Sequence, residues 1–175
     1  MDKKVRGRFA PSPSGRMHLG NIYSALFSWL SVKKKGGEWL LRIEDLDRQR
    51  CRREYALQLE DDLRWLGLAW DEGGLSGSGS CSYVQSERDA LYERAFDMLK
   101  SGGLVYPCYC SRADLRAARA PHASDGITPY LGTCRHLSVE EQEAKSLERK
   151  PSYRFAMPSG EMMFVDGNYG ECCFD

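Results

Sequence analysis

A chain of 175 residues has room for one domain with a sizeable core and a small second module, and leaves two large independent domains a tight fit. Its 25 Lys and Arg balance 25 Asp and Glu, so bulk charge offers no pull toward a polyanion and any nucleic-acid surface is a local patch. The opening Met1-Asp-Lys-Lys-Val5 lacks a signal-peptide apolar core and no stretch approaches a membrane span, so a soluble cytoplasmic monomer without a membrane partner is expected.

Residues 5–10 read as a short strand. Pro11, Pro13 and Gly15 then force a loop, because proline fixes φ and disfavours helix at the residue before it. Ile22, Ala25, Leu26, Trp29 and Leu30 recur at helical spacing, and Lys33 to Lys35 with Gly36 and Gly37 supply a cationic last turn and a stop. Residues 39–43 form a nearly continuous apolar run, as in a strand covered on both faces of a parallel sheet, and Glu44-Asp45-Leu46-Asp47 lies just past it. Tyr55, Leu59, Leu63 and Leu66 share a helical face.

Residues 73–80 read as a flexible loop. Ser86 with Asp89 resembles a capping box before a helix carrying Leu91, Tyr92, Ala95, Phe96 and Leu99. From 105 to about 135 periodicity fades among cysteines, Pro121 and Pro129, so something other than an apolar core is expected to hold that stretch. Seven cysteines, odd in number and with the close pairs Cys108/Cys110 and Cys172/Cys173, make a poor disulfide framework and favour metal binding or free thiols. Ser138 with Glu141 starts another helix, which Pro151 ends, and residues 153–157 with 161–165 read as a hairpin. The expected order is βαβα, an insertion, then β.

The segment Arg8-Phe-Ala-Pro-Ser-Pro-Ser-Gly-Arg-Met-His-Leu-Gly-Asn21 joins a strand end to a helix start. Ligands bind in such crevices, and exposed helix N–H groups there attract phosphate. His18 and Asn21 add polar side chains, and Gly20 lets a flat base approach the backbone. On composition alone this is a proline-rich surface turn with an incidental histidine. Its spacing is more specific: it resembles the HIGH signature of the glutamyl-type class I aminoacyl-tRNA synthetases, with Asn21 at the place of the last histidine.

That resemblance implies an α/β fold, the first half of a Rossmann-like parallel-sheet catalytic domain with a small zinc-binding insertion. It implies that Arg8, Ala10 and Ser12 contact glutamate. His18, Gly20 and Asn21 would bind ATP, which enters with Mg²⁺, and His18 and Asn21 would act catalytically on the charge at the transferring phosphate. Guanidinium pairs bidentately with carboxylate, and adenylate formation needs preorganised donors aimed at the α-phosphate.

Arg42-Ile-Glu-Asp-Leu-Asp47 resembles the family's Arg-Ile-Glu-Asp-Thr-Asp stretch, which implies that Glu44 binds the α-amino group of glutamate. Asp45 and Asp47 read as structural. Tyr83-Val-Gln-Ser-Glu-Arg88 also resembles a family segment that opens a helix. Lys33 to Lys35 and Arg48 to Arg53 are basic runs that read as solvated faces, with RNA contact the sharper alternative.

Cys108-Tyr-Cys110 with Tyr130-Leu-Gly-Thr-Cys134-Arg-His136 offers three thiols and a phenolate or imidazole, a donor set suited to tetrahedral structural Zn²⁺. Buried free cysteines explain the C-x-C spacing equally well. The family has a zinc insertion here, which implies Cys108, Cys110 and Cys134 as ligands; Tyr130 is the fourth in one branch and the histidine position, His136, in another.

The serine and asparagine variants of the first motif resemble the family branch that attaches glutamate to queuosine in the anticodon loop of tRNA(Asp), a tRNA modification, and favour Tyr130. The implied organisation is 1–104 for the nucleotide and glutamate half, 105–137 for the zinc insertion and 138–175 for a returning helix and hairpin. Expected partners are L-glutamate, ATP and tRNA(Asp). The alternatives are an ordinary glutamyl-tRNA synthetase fragment and a catalytically inactive, zinc-stabilised RNA-binding fragment. No KMSKS-type lysine loop occurs in these residues, so weak substrate binding and poor glutamate activation are expected of the chain by itself.

Overall fold

The computed structural model describes residues 4–77, 81–117, 130 and 132–174. Contacts divide the chain into two units, 1–93 and 94–175. The sequence's Pro121 and Pro129 lie outside the described residues.

The first unit is an α/β layer. Strands β1 (Arg6–Phe9), β2 (Glu38–Leu41) and β3 (Glu72–Gly73) form a three-stranded sheet in the order β1-β2-β3. β1 and β2 run parallel from Arg6↔Glu38 to Phe9↔Leu41, and β2 and β3 are parallel at Leu40↔Glu72. Parallel neighbours need crossovers, which α1 (Leu19–Lys33) and α2 (Arg53–Trp65) provide. An isolated parallel bridge, Ile43↔Val84, continues the pattern.

The apolar run after Gly37 is buried as its composition requires: Trp39 and Leu41 are fully covered, and Ile43 nearly so. Phe9, Ala25, Val32, Ala56, Leu59, Leu63, Leu68 and Val84 complete one core cluster. The Trp39 indole N–H is not left orphaned, since it donates to Ser28 Oγ at 2.8 Å. Gly7 permits the close approach of α1 to β1, because a Cβ there would lie 2.2 Å from Val32 Cγ2. Glu60 is the buried carboxylate of this unit; Arg64 donates to it at 2.8 Å and the Leu75 N–H at 2.6 Å, fastening the loop after β3 to α2.

The sequence expectation of a loop over 73–80 misses β3, a strand of two residues too short to show any periodicity. Ser86 also differs from its expected role. A 3-10 turn, Gln85–Arg88, precedes α3 (Asp89–Ser101), and Ser86 donates both its N–H, at 2.8 Å, and its hydroxyl, at 2.6 Å, to Asp45. The acid comes from 41 residues earlier, a long-range cap that a local pattern cannot reveal.

In the second unit β4 (Val105–Cys108) pairs antiparallel with β5 (Ser152–Phe155), from Val105↔Phe155 to Cys108↔Ser152. Between them lie α4 (Arg112–Ala117) and α5 (Val139–Glu148). Ser138 caps α5 with a reciprocal box to Glu141, as its sequence indicates. The expected hairpin is replaced: β6 (Met162–Asp166) pairs with β7 (Gly170–Phe174), and residues 153–155 belong to the β4–β5 pair. Two short apolar runs in succession do not announce their partners, and here each pairs with a different strand.

Candidate functional site

The loop after β1 is held at several backbone points. The Arg42 N–H donates to Phe9 O at 3.0 Å, the Glu44 N–H to Pro11 O at 3.0 Å, and the Arg52 N–H to Pro13 O at 3.1 Å. The first two continue the β1–β2 register past the strand ends. By the alternation of the pleat, Arg8, Ala10, Ser12 and Glu44 then fall on the same side of the sheet, opposite to buried Phe9 and Leu41.

The loop ends in the cap of α1. His18 is the N-cap residue, and its Nδ1 accepts from the Gly20 N–H at 3.1 Å. Asn21 Oδ1 accepts from the His18 N–H at 3.2 Å, so the pair forms a capping box from unusual residues. An accepting Nδ1 carries no proton, so the ring proton is on Nε2 and that nitrogen is the donor available to a ligand. A Cβ at Gly20 would lie 3.1 Å from His18 Cε1 and Nδ1, a tight approach to the ring.

These residues border a cleft of about 540 Å³. Ala10, Ser12, His18 and Asn21 line it, together with Ser14, Arg16, Met17 and Ser24. Arg8, Gly20 and Glu44 are not on its wall. Arg8 is exposed, while Glu44 is ion-paired with Arg42. Asp45 and Asp47 have structural partners: Asp45 holds Ser86, and Asp47 accepts from Arg50 Nε at 2.7 Å. Lys33 is similarly engaged, donating to Asp71 at 2.7 Å, and Arg48 meets Asp89 at 3.3 Å.

The second unit gathers the three expected thiols. The sulfurs of Cys108, Cys110 and Cys134 lie within 4.8 Å of one another, with Cys110 and Cys134 at 3.6 Å. Tetrahedral zinc with Zn–S bonds of about 2.3 Å separates its sulfurs by about 3.8 Å, so the cluster fits that ion. The Tyr130 hydroxyl lies 3.4 Å from Cys108 Sγ and accepts from the Cys134 N–H at 2.9 Å. His136 is exposed and is not part of this group.

Arg154 belongs to the same neighbourhood: its Nε donates to Cys108 Sγ at 3.2 Å, and its guanidinium stacks 3.7 Å from the Tyr130 ring centroid. Burial would raise the Cys108 thiol, but the Tyr130 hydroxyl and the Arg154 guanidinium outweigh it and lower it to about 7. Burial and the neighbouring sulfurs push Cys110 up to about 11. Tyr130 is also pushed upward, by burial and by Cys108. Sequence reasoning misses Arg154, which sits in β5 with no motif around it.

The sequence profile described as tRNA synthetases class I (E and Q), catalytic domain, matches residues 4–175. A glutamyl-Q tRNA(Asp) synthetase from Nitratidesulfovibrio vulgaris is 49% identical over 168 residues, 95% of this chain and 52% of that protein. One from Symbiobacterium thermophilum is 52% identical over 163 residues, 91% of this chain and 50% of that protein. The chain thus spans about half the length of these curated relatives. The crystal structure of a glutamate tRNA ligase from Elizabethkingia meningosepticum in complex with its amino acid has a TM-score of 0.77 and 31% identity, covering 98% of this chain and 36% of that one.

Proposed function

This chain belongs to the class I tRNA synthetase (E and Q) catalytic-domain family, and from that premise we propose that its first unit holds glutamate and ATP for glutamate activation, serving transfer to queuosine in tRNA(Asp). One observation carries the reading: Ala10, Ser12, His18 and Asn21 line a single cleft, with the His18 ring fixed by its own helix cap. A ring held in one tautomer presents Nε2–H without reorganising, which favours stabilisation of charge at the α-phosphate. In-line attack by the glutamate carboxylate on that phosphorus expels pyrophosphate and forms the adenylate.

In this reading Arg8 pairs with a carboxylate of glutamate and Glu44 with its ammonium, both from the sheet side they share. Glu44 exchanges its partner Arg42 for the substrate, or holds both. Gly20 keeps the imidazole in place, and Ala10 and Ser12 leave room for the amino acid. Cys108, Cys110, Cys134 and Tyr130 hold a structural Zn²⁺ that orders their loop. The choice of Tyr130 over His136 is supported by the hydroxyl's place among the sulfurs.

Support for queuosine on tRNA(Asp) as the acceptor comes from the relatives. The two glutamyl-Q tRNA(Asp) synthetases are 49% and 52% identical, whereas a glutamate–tRNA ligase from Alkalilimnicola ehrlichii is 46% identical. The cleft is tested by calorimetric titration of ATP into the chain, where Gly20→Ala is expected to weaken binding by about tenfold by displacing His18, a loss of about 1.4 kcal/mol. Transfer is tested with labelled glutamate, using the chain alone and with the polypeptide matching the other half of the Nitratidesulfovibrio vulgaris relative. Label on tRNA(Asp) that carries queuosine, and none on its guanosine form or on tRNA(Glu), is the expected result. Label on tRNA(Glu) instead assigns the ordinary ligase reaction, and no ATP binding removes the reading altogether.

A further inference from the structure

We propose that Arg16 is the cation this chain's cleft offers to the β- and γ-phosphates of ATP, and that Asp62 holds it in reserve until the nucleotide enters. The inference rests on the reading of the cleft as the ATP site and adds a group from this chain that meets the leaving pyrophosphate.

A helix N-terminus ordinarily serves phosphate with its own free N–H groups. Here the cap engages two of them, those of Gly20 and Asn21. The Gly20 N–H is donated to His18 Nδ1 at 3.1 Å, and the Asn21 and Ile22 N–H groups go to His18 O at 2.9 and 3.2 Å. The rest of the cleft wall contributes uncharged polar groups, Ser12, Ser14, His18, Asn21 and Ser24. Among the described residues lining it, Arg16 is the one Lys or Arg. A triphosphate placed there thus finds its positive counter-charge on that side chain.

The state of Arg16 suits the role. Its side chain is 72% exposed, and its Nη2 is 3.9 Å from Asp62 Oδ1, too long for a hydrogen bond. An exposed pair of that kind is worth little, so exchanging Asp62 for phosphate loses little. The planar guanidinium matches phosphate oxygens bidentately. Arg16 is two residues before His18, and so would sit beside the α-phosphate donor while reaching further along the chain of phosphates.

The pair gives a test in which two substitutions move binding in opposite directions. ATP, AMP and adenosine are titrated calorimetrically into the intact chain and into its Arg16→Ala, Arg16→Lys and Asp62→Asn variants. Arg16→Ala is expected to weaken ATP by about tenfold while leaving AMP and adenosine unchanged, and Arg16→Lys to restore part of the loss. Asp62→Asn is expected to tighten ATP by roughly twofold, because it removes a competing carboxylate.

A merely structural pair predicts otherwise, with both alanine and asparagine variants weakening all three ligands together; that result overturns the proposal. So does an ATP-to-AMP affinity ratio that Arg16→Ala leaves intact. Either outcome leaves the cleft as the nucleotide site. If the unaltered chain binds none of the three ligands, the reading of the cleft falls and this inference with it.

Discussion

The two units of this protein are held together by different chemistry. In the first, eleven buried apolar residues, from Phe9 to Val84, form one cluster beneath a parallel sheet. In the second, the fully described buried residues are Cys108 and Cys134, and the β6–β7 hairpin leaves Met163 and Val165 68% and 76% exposed. An apolar core stabilises through area removed from water; where the described residues bury little besides two cysteines, a few specific bonds carry more of the stability. The cleft is accordingly placed by backbone geometry that the core enforces, while the thiol cluster is itself the core of its surroundings.

The largest expected effect breaks the comparison at the second unit. Structural zinc sites supply apparent free energies of about 10–16 kcal/mol at neutral pH, far more than any single apolar contact. Cys108→Ser, or removal of metal by a chelator, is therefore expected to abolish cooperative unfolding of the second unit. All four tryptophans, Trp29, Trp39, Trp65 and Trp70, lie in the first unit, so tryptophan fluorescence reads that unit by itself. Its transition is expected to stay in place while exchange of the 94–175 amides becomes fast. A shift of both transitions together would show that the units share their stability. Absence of zinc from the purified chain, with Cys108→Ser melting normally, would remove the metal from the account.

The two sites were also legible to different degrees. What depends on local spacing could be read directly: the strand, loop and helix around the segment from Arg8 to Asn21, and the Ser138–Glu141 box, which caps α5 as written. Residues that act through distant partners could not. Ser86 looks like a local cap, and its real partner is Asp45, across 41 residues. Arg154 sits in an ordinary strand, and only the β4–β5 pairing brings it to Cys108. Residues 153–157 and 161–165 are hairpin-like in sequence, but strand partners are set by tertiary packing, which overrides adjacency along the chain. The gathering of the thiols and the Tyr130 hydroxyl was foreseeable from the resemblance and not from the C-x-C spacing.

A core truncation sharpens the same contrast from the other side. Leu63 is completely buried on α2, and Leu→Ala at such a site costs about 2–5 kcal/mol through lost transfer energy and the cavity left behind. Leu63→Ala is expected to lower the urea midpoint of the tryptophan transition by that equivalent, with no change in zinc content. If zinc is lost as well, the thiol cluster depends on the apolar core after all.

The smallest effect concerns acid. Asp71 accepts from the Lys33 ammonium at 2.7 Å and from the Trp39 N–H at 2.7 Å, which hold its carboxyl below the ordinary carboxylate value against a smaller opposing effect of burial. A carboxyl whose folded value is lowered binds fewer protons folded than unfolded, so its stabilisation is complete above the unfolded value, about 3.9. It is lost as pH falls through the lower folded value. Asp71 is well exposed, so solvent screens the ion pair and the increment is small. The Trp39 N–H bond is what ties it to the core, since it anchors the start of β2. Asp71→Asn is therefore expected to flatten the acid limb of the first unit's melting temperature slightly below about pH 4. The second unit's amide exchange should follow the same pH course with or without that carboxylate; a parallel change in both would mean that Asp71 supports more than the sheet it touches.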